Sequence, residues 1–229
     1  MKIAYQKTGE YHLKNGLQNQ DVVLCAESKK AKIIVIADGA SSCENSKRGA
    51  ELACGAISDI MLNETEYFFT STKGKIAGLL ITYVYRKLLM ESKTKNETVE
   101  SYSSTLSFVC FNKISGEIMT FVLGNSLIYS IQNGNMALFC NPKLFNDFKT
   151  YTTTTKGAAS AAEIKIIPSA KKFQFLLATD GAWKTFYKNG VLSEKVECAV
   201  MDGSIIGYLE KQQCKDDCSI VMMDIPKGA

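Results

Sequence analysis

Two segments of the chain are almost continuously apolar and stop abruptly at an aspartate–glycine pair. Lys32 to Ala37 is a mainly β-branched run that leads into Asp38-Gly39, and Phe173 to Ala178 leads through one threonine into Asp180-Gly181. An apolar run of this length that ends in turn residues is typical of a buried strand. Val22 to Ala26 predicts a partner strand for the first of them.

Helical spacing of apolar residues marks two longer segments. Ser46 to Leu62 and Lys75 to Ser92 repeat their apolar positions every three or four residues, and Ser46 is a candidate N-cap. A shorter helix is predicted around Asp202 to Gln212, followed by a strand from Ser219 to Met223. Helices therefore alternate with groups of strands, which excludes an all-helical or an all-β fold.

The middle of the chain predicts an antiparallel meander of short strands separated by turns. Its expected strands are Thr105 to Phe111, Glu117 to Leu123, Ser126 to Gln132 and Met136 to Cys140. The following stretch, at about 141–170, is polar and irregular, and we predict that it forms a flap-like surface loop. No domain boundary is visible, so we expect a single domain over 1–229.

Composition narrows the possible classes. The 229 residues are 46% hydrophobic and 22% charged, a balance that excludes disorder for most of the chain. A net charge of +4 does not predict nucleic-acid binding, which needs a concentrated basic face. No apolar stretch reaches the roughly 18–20 residues of a membrane span, and the first residues lack the apolar core of a signal peptide. We expect a cytoplasmic protein, a monomer with no membrane partner.

The eight cysteines predict neither a zinc site nor a disulfide framework. They show no CxxC spacing, and the chain has a single histidine, His12. Most of them lie in apolar runs, where a reduced thiol packs as a small hydrophobic group. We expect them to be reduced, as in a reducing compartment.

Aspartates cluster at the ends of the predicted core strands. Asp38 and Asp180 each follow one strand, Asp21 precedes another, and Asp216-Asp217 precedes the last. Carboxylates held together at strand ends repel one another, and Mg²⁺ or Mn²⁺ is the usual counter-ion because it prefers oxygen ligands. A single Asp-Gly pair can also be a simple turn. The repeated pattern favours a metal site.

In chain order these aspartates and their neighbours resemble one family. The motifs are Asn19-Gln20-Asp21, Asp38-Gly39, Ser104-Thr105-Leu106, Gly124-Asn125-Ser126, Thr179-Asp180-Gly181 and Asp216-Asp217-Cys218-Ser219. Their order is similar to that of the PPM family, the metal-dependent protein serine/threonine phosphatases of type 2C, and in particular to its compact bacterial branch. The resemblance covers residues 8 to 225 and implies an α+β fold, a four-layer αββα sandwich with two central antiparallel sheets.

The resemblance also implies roles for individual residues. Asp38 matches the aspartate that bridges two metal ions, Gly39 a carbonyl ligand, and Asp180 and Asp216 the further metal carboxylates. Asp21 matches the catalytic aspartate that orients the attacking water. The implied cofactors are two Mn²⁺ or Mg²⁺ ions, which clamp a phosphate and activate water without a protein nucleophile. The implied partner is a phosphorylated protein substrate, with an opposing serine/threonine kinase.

Four positions depart from the family pattern. Gly16 stands where larger members have a phosphate-binding arginine, and Gln20 replaces a glutamate. Ala40 replaces a histidine or methionine. Asn125 replaces an aspartate linked to a third, weaker metal ion, so the sequence leaves open whether a third ion binds here.

The substitute for the missing arginine is open between His12, Lys14 and Arg48. For His12 two interpretations remain. It is either a phosphate-site group that protonates the leaving alkoxide or an exposed loop residue. The departures also leave two alternatives to a protein phosphatase: a catalytically weak or inactive pseudophosphatase that serves as a binding module, and a phosphohydrolase of small phosphate esters.

Overall fold

The coordinates are a computed structural model that describes residues 2–140, 144–146 and 149–227. The strands, in chain order, are β1 (Lys2–Lys7), β2 (Val22–Glu27), β3 (Ala31–Ala37), β4 (Leu106–Asn112), β5 (Glu117–Leu123), β6 (Leu127–Gln132), β7 (Asn135–Cys140), β8 (Leu144–Asn146), β9 (Lys149–Thr150), β10 (Glu163–Pro168), β11 (Phe173–Ala178), β12 (Tyr187–Lys188), β13 (Val191–Leu192) and β14 (Cys218–Ile225). The helices are α1 (Glu10–Lys14), α2 (Ser46–Asn63), α3 (Thr65–Phe69), α4 (Lys73–Lys95), α5 (Ala158–Ala161), α6 (Asp180–Trp183), α7 (Glu194–Met201) and α8 (Ile205–Glu210). Short 3₁₀ turns lie at Val99–Tyr102 and Lys184–Phe186.

Two five-stranded antiparallel sheets form the centre of the molecule. The first has the strand order β1-β14-β11-β6-β7 and the second the order β10-β5-β4-β3-β2. Strand β3 shows how they pack, because Ile33 and Val35 face a helical layer while Ile34 and Ile36 face the other sheet. Successive side chains of a strand point to opposite faces. A strand buried on both faces is therefore apolar throughout.

Helices cover the outer faces of both sheets. The long helices α2 and α4 pack on the second sheet, and the shorter α6, α7 and α8 pack on the first. This is the expected αββα sandwich. No described helix combines the length and apolarity needed to span a membrane.

Most predicted elements are confirmed, with shifts of a few residues at their ends. The sequence analysis did not predict β1, α1 and α7, and the helix expected at 202–212 is the shorter α8. Strand β1 pairs only with β14 at the other end of the chain, so no local pattern announces its partner. None of the eight cysteines, all of which lie among the described residues, forms a disulfide bond.

The predicted flap-like loop at about 141–170 differs from the structure in its second part. Strand β10 is paired along its whole length with β5, where Ile164 lies opposite Phe121. Helix α5 packs against α4, with Ala158 and Ala161 buried. The missed signal for a strand was the β-branched run of three isoleucines at 164, 166 and 167, of which the first two alternate with Lys165. Residues 141–143 and 147–148 of that range lie outside the described residues.

Candidate metal and catalytic site

The antiparallel register brings the predicted aspartates to neighbouring strand ends. Val22 at the start of β2 lies opposite Ala37 at the end of β3, so Asp21 and Asp38 are adjacent. In the other sheet, Ala178 at the end of β11 lies opposite Ile220 near the start of β14, which places Asp180 close to Asp216. Positions separated by up to 195 residues in the chain thus form one cluster (Asp21 to Asp216).

Thr105 fixes the position of Asp38. The backbone N–H of Asp38 donates to Thr105 Oγ1 at 2.9 Å, and the N–H of Thr105 donates to the Asp38 carbonyl at 2.8 Å. Gly39 continues this pairing as a bridge to Ser104. The Ser-Thr motif before β4 therefore acts as a splint for the Asp38-Gly39 turn.

Two glycines allow the site loops to approach one another. A Cβ at Gly181 would lie 2.1 Å from the Asp217 carbonyl oxygen, and a Cβ at Gly9 would lie 2.2 Å from the Asp216 carbonyl carbon. Real Cβ atoms do not reach such distances, so any side chain here would push the Asp216-Asp217 segment away. Both glycines are needed for the close packing of that segment.

Asp180 begins α6, and its two carboxylate oxygens have different surroundings. Oδ2 accepts hydrogen bonds from Lys184 Nζ at 2.6 Å and from Asn125 Nδ2 at 3.2 Å. Oδ1 is buried and has no hydrogen-bond partner among the described residues. Oδ2 is thus satisfied by two donors, whereas Oδ1 is a buried acceptor without a donor or cation to offset the cost of its burial.

Asp21 is fully buried. Its Oδ2 accepts from Thr179 Oγ1 at 2.9 Å, whereas Oδ1 has no partner in the described part of the chain. Burial raises the pKa of Asp21 to about 8, and nearby Asp217 raises it too, while the neighbouring hydroxyl groups of Ser219 and Thr179 oppose the shift. The main chain is held firmly, since the Asp21 carbonyl accepts from Lys47 Nζ at 2.7 Å.

The other carboxylates show the same electrostatic tension. Burial raises the pKa of Asp38 well above its ordinary value, and three neighbouring carboxylates raise it further. These neighbours are Asp21, Asp180 and Asp216. Burial followed by the charge of Asp180 also raises the pKa of Asp216. Clustered, desolvated like charges are costly unless protons or cations offset them.

The donor set fits hard divalent cations. It consists of carboxylates with buried, unpartnered oxygens on Asp21 and Asp180, and Mg²⁺ and Mn²⁺ favour such oxygen ligands. In the described ranges, no three His, Cys, Asp or Glu side chains converge closely enough to enclose an ion. The case for a metal site therefore rests on the oxygen ligands of the cluster and on its concentrated negative charge.

Asp217 is a buried residue to which the sequence analysis gave no role. Its carboxylate accepts from the N–H of Gly9 at 2.9 Å, the N–H of Gln20 at 2.5 Å and His12 Nδ1 at 2.7 Å. It therefore ties α1 and the segment before Asp21 to the start of β14. The adjacent pair Asp216-Asp217 was the available signal, but only the fold shows that the second aspartate turns inward.

His12 is not the exposed loop residue of one interpretation. It lies on α1 with 2% of its surface exposed, and Nδ1 donates to Asp217. Its Nε2 is buried and has no hydrogen-bond partner in the described structure. His12 also acts electrostatically on Asp216, so it belongs to the surroundings of the carboxylate cluster.

The other candidates for the missing arginine point elsewhere. Arg48 is engaged by Glu91 at 2.9 Å and Glu51 at 3.3 Å, and exposed Lys14 pairs with Glu10 at 3.5 Å. Gly16 has a φ of +66°, a left-handed conformation in which an arginine would be strained. Lys184, which the sequence analysis did not single out, is instead paired with a carboxylate of the cluster.

A cavity of about 670 Å³ opens beside the cluster. Its wall includes Asp216, Gly181, Lys184, Tyr11 and Tyr187. Ligand sites usually fall in this range of volumes. The cavity gives a small group access to Asp216 and to Lys184, which is paired with Asp180.

The chain belongs to the protein phosphatase 2C family, whose model matches residues 8–202. This confirms the resemblance noted in the sequence and places the chain among the PPM-type protein phosphatases. The matched range contains Asp21, Asp38 and Asp180 and ends before Asp216. A comparison with curated protein sequences finds no significant match.

Solved structures share the fold at low sequence identity. PppA, a key regulatory component of T6SS in Pseudomonas aeruginosa, is 14% identical with a TM-score of 0.67, and the match covers 97% of this chain and 96% of PppA. The catalytic domain of the serine/threonine protein phosphatase PstP, solved with 2 manganese ions, is 13% identical with a TM-score of 0.67 and 98% of each chain covered. RsbX in complex with magnesium is 15% identical with a TM-score of 0.59, covering 96% of this chain and 92% of RsbX. At such identities the likeness shows the fold alone.

Proposed function

We propose that this protein is a metal-dependent protein serine/threonine phosphatase that hydrolyses phosphoserine and phosphothreonine. The observation that carries the proposal is a cluster of four carboxylates that interact electrostatically at the strand ends of a protein phosphatase 2C fold. Its members are Asp21, Asp38, Asp180 and Asp216. The metal complexes of PstP and RsbX add support for divalent cations.

Asp38, Asp180 and Asp216, with the Gly39 carbonyl, are the residues that would hold two Mn²⁺ or Mg²⁺ ions. When bound, such ions supply positive charge to the phosphate and a water activated for attack at neutral pH. The chain's own contribution is to keep the carboxylates rigid and desolvated. The splint from Thr105 and the close packing at Gly181 provide that rigidity.

Asp21 orients the attacking water and accepts its proton. Its carboxylate lies against Asp38, and the hydrogen bond from Thr179 leaves Oδ1 as the free oxygen. Burial raises the pKa of Asp21, which makes its ionised carboxylate a stronger proton acceptor than an exposed one. As the oxygen–phosphorus bond forms, the phosphorus–oxygen bond to the serine or threonine breaks.

His12 donates the proton to the departing alkoxide. Asp217 holds the ring through Nδ1, so Nε2 is the atom that carries the transferred proton. The products are the free hydroxyl side chain and inorganic phosphate. The substrate is a phosphorylated protein, and the proposal includes an opposing serine/threonine kinase, a cytoplasmic location and a monomeric state.

The proposal is tested by hydrolysis of an aryl phosphate and of a phosphoserine peptide, in Mn²⁺ and after chelation. Turnover of both substrates that stops with chelator and in Asp38→Asn is expected. Hydrolysis of the aryl phosphate and of small esters without the phosphopeptide would favour the small-ester phosphohydrolase. Mn²⁺ binding without turnover of any substrate would contradict a phosphatase.

The second candidate is a pseudophosphatase, a catalytically weak or inactive binding module. The observation that favours it is the pairing of Asp180 Oδ2 with Lys184 and Asn125, which occupies part of a metal ligand. Against it, a binding module has no need of buried Asp21, whose desolvation is costly. Binding of a phosphopeptide without its hydrolysis, unaffected by Asp21→Asn, is the result that would establish it.

A further inference from the structure

Lys184 directly follows α6 and reaches back to the first residue of that helix. Its Nζ lies 2.6 Å from Asp180 Oδ2, yet 57% of the side chain is exposed. It also lines the cavity of about 670 Å³. The ammonium group therefore lies between the buried carboxylates and the open cavity. It has three N–H donors, so it can donate to a second partner while it remains bonded to Asp180.

Asn125 completes the surroundings of the same oxygen. Its Nδ2 donates to Asp180 Oδ2 at 3.2 Å, while its backbone carbonyl accepts from Trp183 Nε1 at 2.8 Å. The half-buried Trp183 thus anchors the residue that helps to hold Asp180. Two donors, one of them charged, meet at this oxygen from outside the cluster.

This arrangement gives the two carboxylate oxygens of Asp180 different roles. Oδ2 already accepts two hydrogen bonds, so its lone pairs are engaged, and the ammonium group 2.6 Å away would repel a metal ion at this oxygen. Oδ1 is buried without a hydrogen-bond partner in the described structure and remains available to an ion. The division allows an ion on the inner side of Asp180 and disfavours a further ion on the outer side.

We propose that Lys184 is a resident cation of this site, which takes the place of a third divalent ion at Asp180 Oδ2 and binds the phosphate group of the substrate. The proposal rests on the proposed function. Two divalent ions neutralise the four carboxylates, so the charge of Lys184 is in excess and attracts a phosphate dianion. Arg48 and Lys14, the two basic candidates of the sequence analysis besides His12, are paired with glutamates elsewhere, whereas Lys184 is paired with a carboxylate of the cluster.

The phosphate half of the proposal is tested by calorimetric titration of inorganic phosphate into Mn²⁺-loaded protein. Lys184→Met should weaken phosphate binding about 10-fold to 100-fold, since a charge-assisted hydrogen bond is lost. Lys184→Arg should restore most of it. Lys188→Met, on the exposed strand β12, is the matched control and should bind as the wild type does. Wild-type affinity in Lys184→Met, or a loss confined to Lys215→Met on the same cavity wall, would overturn the assignment.

The metal half is tested by counting bound Mn²⁺. Two ions per chain are expected in the wild type, and a third, weaker ion is expected when Lys184→Asp is combined with Asn125→Asp. Three ions in the wild type, or two in the double variant, would overturn this half while leaving the proposed function intact. No bound ion in the wild type would overturn both.

Native protein provides a check that does not depend on the folding of variants. Amine labelling of the Mn²⁺-loaded chain, read by mass spectrometry, should show Lys184 protected by inorganic phosphate and Lys188 unprotected. Equal labelling of Lys184 with and without phosphate would contradict the proposal.

Discussion

The space between the two sheets and the carboxylate cluster at the strand ends are both buried, but they contribute to the free energy of folding with opposite signs. Between the sheets, Ile34 and Ile36 pack against Phe175, Leu177 and Val221, all fully buried. Such apolar burial stabilises the fold by about 25 cal/mol per Å². At the strand ends, burial instead raises carboxyl pKa values, which is a cost to the folded state.

The difference indicates that the apolar interior provides most of the stability, while the carboxylate cluster provides the chemistry. Substitution in the apolar interior should lower stability and spare the chemistry of molecules that remain folded. Substitution in the carboxylate cluster should abolish the chemistry and leave the stability of the fold unchanged or higher. Proteins often hold such costly groups at functional sites.

The largest expected effect is the loss of activity in Asp38→Asn. The change removes the charge at the centre of the cluster, so Mn²⁺-dependent hydrolysis of an aryl phosphate should be abolished. The melting temperature of the metal-free protein should be at least as high as that of the wild type, because a buried ionisable group that is destabilised by its neighbouring carboxylates is gone. Added Mn²⁺ should no longer stabilise the variant, whereas it stabilises the wild type by mass action. Retained activity would refute the assignment of Asp38.

Asp21→Asn should separate rate from metal binding. We expect kcat to fall by about 10²–10⁴-fold, the usual contribution of a positioned base. Mn²⁺ affinity should change much less, because the other carboxylates keep their positions. Steady-state kinetics and calorimetric Mn²⁺ titration measure the two effects. Wild-type turnover in this variant would remove Asp21 from the mechanism.

Phe175→Ala probes the apolar region. Phe175 is fully buried between the sheets and packs edge-on against Phe139. Its truncation should cost about 3–5 kcal/mol and lower the melting temperature by about 6–20 °C. The activity per folded molecule should persist below the transition. Ile114→Ala, at an exposed turn, is the control and should change stability by less than about 0.5 kcal/mol. Equal melting temperatures for the two variants would contradict the comparison.

The last effect is on stability alone and concerns the pH dependence of the metal-free protein. Asp21 has a folded-state pKa raised from 3.8 to about 8, so folding retains a proton that the unfolded chain releases. Stability should therefore fall as pH rises from about 4 towards about 8. Thermal melts in chelator should show this decline, and saturating Mn²⁺ or Asp21→Asn should reduce it. A melting temperature that rises over this range in chelator would argue against the buried, protonated cluster.

Much of the fold was predictable because its signals are local. The apolar run of β3 and the helical periodicity of α2 and α4 appear within short windows of sequence. Strand β10 was missed because its short apolar run lies next to a polar stretch, and β1 because the strand it pairs with, β14, lies at the other end of the chain. For the site, strand-end aspartates were visible, but the inward turn of Asp217 was not.

The sequence by itself determined which segments are buried strands and helices, and that aspartates stand at the strand ends. Apolar periodicity and turn residues act over a few positions, so they can be recognised without the fold. Only the tertiary structure decided that Asp217 holds His12 and that Lys184 and Asn125 share one oxygen of Asp180. Those contacts depend on strand register and helix placement. Asn125 and Asp180 are 55 residues apart in the chain, and His12 and Asp217 are 205 residues apart. Hydrogen bonds and charges act over a few ångströms in space, whatever the distance along the chain.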